Sequence, residues 1–367
     1  MRVYRVFTLC FCAMFLAPMA SLSQDAATTY DLQQQWSIER DKDSRYALER
    51  RYFIPDELVG AFVDDAGAVY LCDKLTESLV KLGPGGSEVY SEGSVGDGPE
   101  DHRGAGEPVP WGEGLIARAD GAVAPKIILY RTTGEYLESL APDLDGQIAR
   151  LFWNGTNGLA VALLNQFLPP DAFEFSTHLY RLDNGKVVQE RKLRSRRVVR
   201  APSKPERDVW DVPRMAVSAD GYCFIQSDLY GNVIECLDRE LKPLWSITGA
   251  WQPTPRSPAE IAEIQSQGMA WLEPSAVNQT VRRLVARSGG EVWVEPWRTD
   301  AGAGMAELES FGPGGRKQGL VRLVGVPNLP GEWILRGNKV LWITSDEADV
   351  ANGSIPYIVV YDLVARR

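Results

Sequence analysis

Histidine is almost absent from this 367-residue chain, which carries only His102 and His178. Cysteine is sparse too, at 5 residues, and Cys10 and Cys12 lie in the first apolar run. No Cys/His spacing therefore resembles a zinc site. The sequence has no nucleophile-elbow motif of the Gly-x-Ser-x-Gly kind. After the amino terminus no segment approaches the length of apolar chain that spans a bilayer. Positive charge is in deficit: 39 Lys+Arg stand against 49 Asp+Glu, a formal net charge of −10. That balance argues against nucleic acid and anionic membrane surfaces as partners.

What is present begins with an export signal. Arg2 and Arg5 form a short positive region, Val6 to Leu16 an apolar run, and Ser21 and Ser23 precede a cut ahead of Gln24. Cys10 and Cys12 lack the surroundings of a lipoprotein cleavage site. Residues 1–23 are thus read as a signal peptide and 24–367 as one exported domain, periplasmic or secreted.

Two alternating sets of turns, six of each, punctuate that domain. One set comprises Asp65-Ala66-Gly67, Asp120-Gly121, Asn157-Gly158, Asp220-Gly221, Gly289-Gly290 and Gly337-Asn338. The other comprises Gly83-Pro84-Gly85-Gly86, Thr132-Thr133-Gly134, Asp183-Asn184-Gly185, Asp238-Arg239-Glu240, Gly312-Pro313-Gly314-Gly315 and Asp362-Leu363. Gly, Asn and Asp accept the positive φ that tight antiparallel turns need. Short Val, Leu, Ile, Tyr and Trp runs fill the intervals, at a period of roughly 50 residues. The pattern predicts an all-β, six-bladed β-propeller of four-stranded antiparallel blades. Blade 2 is expected to open on Leu115-Ile116-Ala117. Blade 6 runs out of chain after Tyr357–Tyr361, and Gln34-Gln35-Trp36-Ser37-Ile38 is expected to supply its outer strand, removing an open edge. Between blades 4 and 5, the capping box Ser257-Pro258-Ala259-Glu260 predicts one short helical insertion through Trp271. Cys223 and Cys236 flank the Asp228–Asn232 turn symmetrically, as a cross-strand disulfide or as two free buried thiols. The basic run Arg191–Arg197 reads as a solvated outer strand and loop.

In an up-and-down meander the first-to-second and third-to-fourth strand turns share one face, and here they are tight. The long insertions Glu92–Pro110, Asn165–His178, Arg194–Val212, Trp251–Asn278, Pro296–Met305 and Ser345–Pro356 gather on the other, which marks it as the binding face. Aromatics in them, Trp210 and Trp297 among them, either fold the loops onto the disc or form a recognition patch. Around the inner-strand starts lie Glu113, Arg150, Arg214, Arg282, Arg283 and Glu332. The arginines either pair with these acids or form an anion-binding funnel.

The stretches Gly67–Asp73, Glu92–Glu100 and Lys126–Gly134 resemble blade motifs of secreted bacterial six-bladed propellers of the NHL and TolB-like type, over roughly residues 50 to 367. That resemblance implies architecture and a binding platform rather than a chemistry. Resemblance to gluconolactonase- and paraoxonase-type propellers implies instead a metal-dependent lactonase or esterase, with Glu113, Asn154 and Asp211 as metal ligands. The arginines oppose a cation there. A propeller lyase of the peptidyl type implies channel histidines that the chain lacks. The expectation is an exported, non-catalytic propeller binding a protein, peptide or glycan through Arg150, Arg214, Arg283, Trp210, Trp297 and Glu113, with no catalytic residue, cofactor or metal assigned.

Overall fold

The structure is a computed structural model, describing residues 27–39, 61–73, 76–96, 98–102, 106–120, 124–169, 172–199, 212–259, 261–262, 275–297, 304–327, 331–344 and 356–366. The signal segment and most of the expected helix after Ser257 lie outside them. Among the described residues, no helix is long and apolar enough to cross a membrane.

The chain is all-β and propeller-like. A first sheet holds β2 (Ala61–Val63), β3 (Val69–Asp73), β4 (Ser78–Leu82) and β5 (Glu88–Glu92) in chain order. A second holds β6 (Val109–Pro110), β7 (Leu115–Asp120), β8 (Lys126–Arg131) and β9 (Tyr136–Leu140). The third is built from β10 (Gln147–Trp153), β11 (Gly158–Leu168), β12 (Ala172–Asp183) and β13 (Lys186–Val199). The fourth is built from β14 (Arg214–Val217), β15 (Cys223–Gln226), β16 (Val233–Leu237) and β17 (Pro243–Thr248).

The remaining strands differ from expectation, because they form one eight-stranded sheet rather than two separate ones. It runs from β18 (Val281–Ala286), β19 (Val292–Pro296), β20 (Met305–Phe311) and β21 (Lys317–Val324), through β1 (Ala27–Glu39), to β24 (Pro356–Ala365), β23 (Lys339–Thr344) and β22 (Gly331–Arg336). β1 does pair antiparallel with β24, Gln34 opposite Tyr361 and Ile38 opposite Ile358. It is longer than expected, however. Its first residues pair parallel with β21, Ala27 opposite Leu320 and Asp31 opposite Val324, and so join the two halves.

The apolar core lies between neighbouring sheets. Tyr70 and Leu79 meet Ile116 and Ile128; Leu129 meets Ala160 and Leu182; Val161 and Leu179 meet Ile225 and Leu237. Phe224 and Ile234 then meet Val292 and Val294, Leu308 and Leu323 meet Trp342 and Val359, and Leu341 and Val360 meet Val69 and Val80. The last contact returns to the first sheet, so the clusters form a ring. Strands covered on both faces are buried continuously, as in β3 and in Ile127–Tyr130 of β8. Packing between sheets is close enough that a Cβ on Gly158 falls 2.0 Å from the Trp111 ring.

Two local expectations are corrected, and one open alternative is decided. Val109 and Pro110 take the inner place in the second sheet, with Val109 opposite Ala117, so Leu115–Ala117 belongs to the second strand. A two-residue strand ending in Pro carries little period-two signal in the sequence. The stretches Asn165–Leu168, Ala172–His178 and Arg194–Val199 are strand rather than loop. β11 continues past Leu163, the partner of Gln147 at the start of β10, and with β12 and β13 raises a three-stranded arm on that side. Finally, Cys223 lies opposite Leu237 and Cys236 opposite Phe224, which turns the two sulfurs to opposite faces of the sheet. Both are free and buried, Cys223 toward the third sheet and Cys236 toward β19.

Candidate functional site: the channel mouth

The inner strands β2, β6, β10, β14, β18 and β22 surround a channel of about 700 Å³. Its lining includes Arg150, Arg214 and Arg283, carried by three successive inner strands, and Arg287 and Arg336 at the other end of theirs. The acids in its wall are Asp65 and Glu107. An acidic protein thus surrounds an arginine-rich channel.

Arg214 is the first residue of β14 and is only 3% exposed. Its Nε donates to Oε1 of Gln279 at 3.1 Å. Gln279 is held in place by its neighbour Thr280, whose N–H donates to the Leu229 carbonyl at 3.0 Å and whose hydroxyl accepts from Nε2 of Gln226 at 2.6 Å. The Thr280 carbonyl accepts from the Trp297 N–H at 3.0 Å. A buried uncharged network therefore holds the Arg214 Nε and, through the Thr280 carbonyl, the Trp297 backbone.

On β18 a bulge between Val281 and Arg283 brings two consecutive arginines toward Glu295. Arg283 forms an ion pair with Glu295 Oε2, and Arg282 Nη1 lies 4.0 Å from Glu295 Oε1. The guanidinium of Arg283 stacks 4.0 Å over the Trp333 ring, and that of Arg282 is 5.8 Å from the Trp297 ring. Arg150 follows a similar bulge after Ile148 and lies opposite Val161. At the opposite end Arg287 stacks 4.7 Å from Trp293 and Arg336 5.2 Å from Phe62. Burial lowers the Arg336 pKa, and Asp65 and Asp64 oppose that shift.

The structure thus brings Arg150, Arg214 and Arg283 to one channel, whereas Trp297 is placed by its contact with Arg282 and does not belong to the channel lining. Glu113 is elsewhere. It is exposed in the β6–β7 turn that Trp111 N–H and the Leu115 carbonyl close at 2.9 Å, on the tight-turn face. Trp210, Asp211 and the side chain of Glu332 lie outside the described residues. Asn154 is committed to its own turn: its Oδ1 accepts from the N–H groups of Thr156 and Asn157 at 3.1 and 2.7 Å, and its Nδ2 donates to the Arg239 carbonyl at 3.3 Å. Glu113 and Asn154 therefore contribute to turns, not to a shared metal site.

Two polar clusters were not anticipated. Between the first and second sheets Arg118, 0% exposed, donates to the Glu77 carbonyl, to Cys72 Sγ at 2.9 Å and to His102 Nε2 at 3.0 Å. Burial, with Arg118 and Lys126 nearby, pushes the His102 pKa down to about 2, so the imidazole is neutral and Nε2 accepts from Arg118. Burial raises the Tyr130 pKa to about 12. The glycine-rich segment before His102 wraps the Asp101 carboxylate, which accepts from Ser94 Oγ at 2.6 Å and Gly98 N at 2.9 Å; these bonds lower its pKa. On the third sheet, His178 lies 2.8 Å from Ser176 Oγ through Nε2 and 2.5 Å from Glu190 through Nδ1. That order of hydroxyl, imidazole and carboxylate matches a hydrolase triad. Ser176, however, is 6% exposed on an interior strand paired with both β11 and β13, so its neighbouring backbone N–H groups serve the ladder rather than an oxyanion.

No known family matches the chain and no curated protein does. Among solved structures, an exported protein from Bacteroides fragilis superposes with a TM-score of 0.47 at 11% identity, over 94% of this chain and 96% of that one. A calcium-binding regucalcin from Agrobacterium tumefaciens gives 0.43 at 13% identity, covering 93% and 98%. BamB from Moraxella catarrhalis gives 0.37 at 10%, covering 90% and 99%. Likenesses this distant carry no argument about chemistry, and the fold rests on the strand pairing described above.

Proposed function

We propose that this is an exported binding propeller that captures a protein, peptide or glycan on the face where its inner strands begin. Counting the eight-stranded sheet as two blades stitched by β1 makes it six-bladed, in keeping with the NHL and TolB-like reading, and residues 1–23 serve as its export signal. The observation that carries the proposal is that Arg150, Arg214 and Arg283, on three successive inner strands, line one channel. Guanidinium groups on three strands of a rigid ring, with Trp297 against the adjacent Arg282, suit a recognition site rather than a catalytic one. The metal-dependent lactonase alternative is weaker, since Glu113 and Asn154 are spent on turns.

The test is a pull-down from the exported fraction with Trp297→Ala combined with Arg214→Ala. Truncating two anchors at a buried interface lowers capture by about thirty-fold. Replacing Thr132 and Thr133 on the tight-turn face by serine leaves it intact. Loss of capture only in the tight-turn variant places binding on the other side of the disc.

A further inference from the structure

We infer that the outer edge of β13 is a docking surface of its own, which takes an extended, acidic segment of a partner protein as an added strand. It lies on the rim, apart from the channel, and stands whether or not the channel binds anything.

The backbone comes first. β13 is the last strand of the third sheet and is 14 residues long. The outer strands of the first, second and fourth sheets, β5, β9 and β17, have 5, 5 and 6 residues. β21 has 8, and its outer side is taken by β1. Among the described strands, none pairs with the outer side of β13. Alternate residues there turn N–H and C=O groups away from β12, the template that an added strand uses. Two bulges interrupt the earlier part of β13, opposite Thr177–His178 and Arg181–Leu182. From Arg194 to Val199 the register runs without a shift, Arg194 opposite Thr177 and Val199 opposite Ala172. No proline breaks the strand. Such a regular stretch offers an edge of roughly 20 Å, enough for a strand of ordinary length.

Charge then selects the partner. Arg191, Lys192, Arg194, Arg196 and Arg197 all lie on this strand, in a chain whose formal net charge is −10. Arg191 pairs with Glu235 and Lys192 with Glu174, each at 2.8 Å. Main-chain groups make the bonds to an added strand, so the side chains contribute charge and need no spare donor. A second copy offering the same edge would set cation against cation, which disfavours self-pairing. A strand bearing Glu or Asp gains from the same arrangement. Anionic lipid or an acidic glycan would meet the charge but not the row of backbone groups, which a peptide strand satisfies.

The experiment titrates the full mature protein with a fluorescein-labelled, C-terminally amidated octapeptide of alternating glutamate and valine, followed by anisotropy. The lysine–valine counterpart and phosphatidylglycerol vesicles are run in parallel. The glutamate peptide is expected to bind at least about tenfold more tightly than the lysine one, because several cross-strand pairs change sign together. That preference shrinks as salt is raised. Arg197→Glu, at an exposed position, should weaken binding of the glutamate peptide several-fold. Arg131→Glu, the same reversal on the second sheet, should leave it unchanged. Hydrogen exchange read by mass spectrometry separates strand addition from loose charge attraction: saturating peptide should slow exchange within Arg194–Val199. Equal binding of the two peptides, binding of vesicles alone, binding of none of the three, or binding that leaves exchange at Arg194–Val199 unchanged overturns the inference. Protection of that segment without peptide, fading on dilution, marks a pairing between copies and overturns it too.

Discussion

The indole N–H of Trp36, on the first strand, donates to the carbonyl of Gly67 in the first turn of the first sheet, at 3.2 Å. Trp36 is also paired to Val360 and packs with Ile38 against the cluster shared by β3, β4, β23 and β24. One side chain therefore spans the last interface of the ring.

Trp36→Ala should lower stability by about 2–3 kcal/mol, below a fully buried Trp because the ring is partly exposed. Removing residues 27–39 should do more, exposing β24 and β21 as open edges and driving aggregation. Thermal melting and light scattering read both. An unchanged melting temperature for the deletion disposes of the closure.

Stability should fall in acid through His102. In the unfolded chain its imidazole titrates near 6.5, whereas in the fold it stays neutral to about 2. Unfolding therefore takes up a proton in this window, and stability declines as pH drops, by at most about 1.4 kcal/mol per pH unit. His102→Gln, which can still accept from Arg118, should flatten denaturant-measured stability between about pH 6 and pH 4. An equal slope in both proteins assigns the acid sensitivity elsewhere.

The thiols of Cys223 and Cys236 should be inert in the native protein. Burial pushes both upward, Cys236 to about 12, and their opposite facing prevents a bond between them. Denaturation without reductant should release Cys72, Cys223 and Cys236 to alkylation together. Recovery of a Cys223–Cys236 peptide by mass spectrometry contradicts the register.

Ser176 should resist fluorophosphonate, despite its position on His178. Its burial and the fully paired strand leave neither an approach nor donors for an oxyanion. Stoichiometric labelling that disappears in His178→Ala turns the cluster into an active site.

The turn glycines made most of the sheet order readable, because positive φ is a local requirement that a residue type reveals. Gly67, Gly134, Gly185, Gly221 and Gly337 all adopt it. The partner of β24 was also legible, since a propeller with one strand too few must borrow one. What the sequence hid depends on distance along the chain. Nothing near Ala27 signals Leu320, so the parallel pairing went unseen. Arg118 sits in an ordinary strand, and only the fold brings Cys72 and His102 to it. Glu113 was misplaced by a single two-residue strand, which moved its turn to the other face. Arg150, Arg214 and Arg283 were readable as inner-strand residues because the turns fix those strands, Arg214 at a strand start and the other two within theirs.

β1 also sets an order of events. It binds Pro356–Ala365, and Arg366 grips Asp31 with Nη2 at 2.7 Å while its N–H reaches the Thr29 carbonyl at 2.9 Å. A polypeptide made amino end first must keep this strand waiting until Pro356–Ala365 emerge. The ring then closes last, as one late step. During synthesis the earlier sheets stand as an open arc with sticky edges, the interval in which such a protein most needs a chaperone.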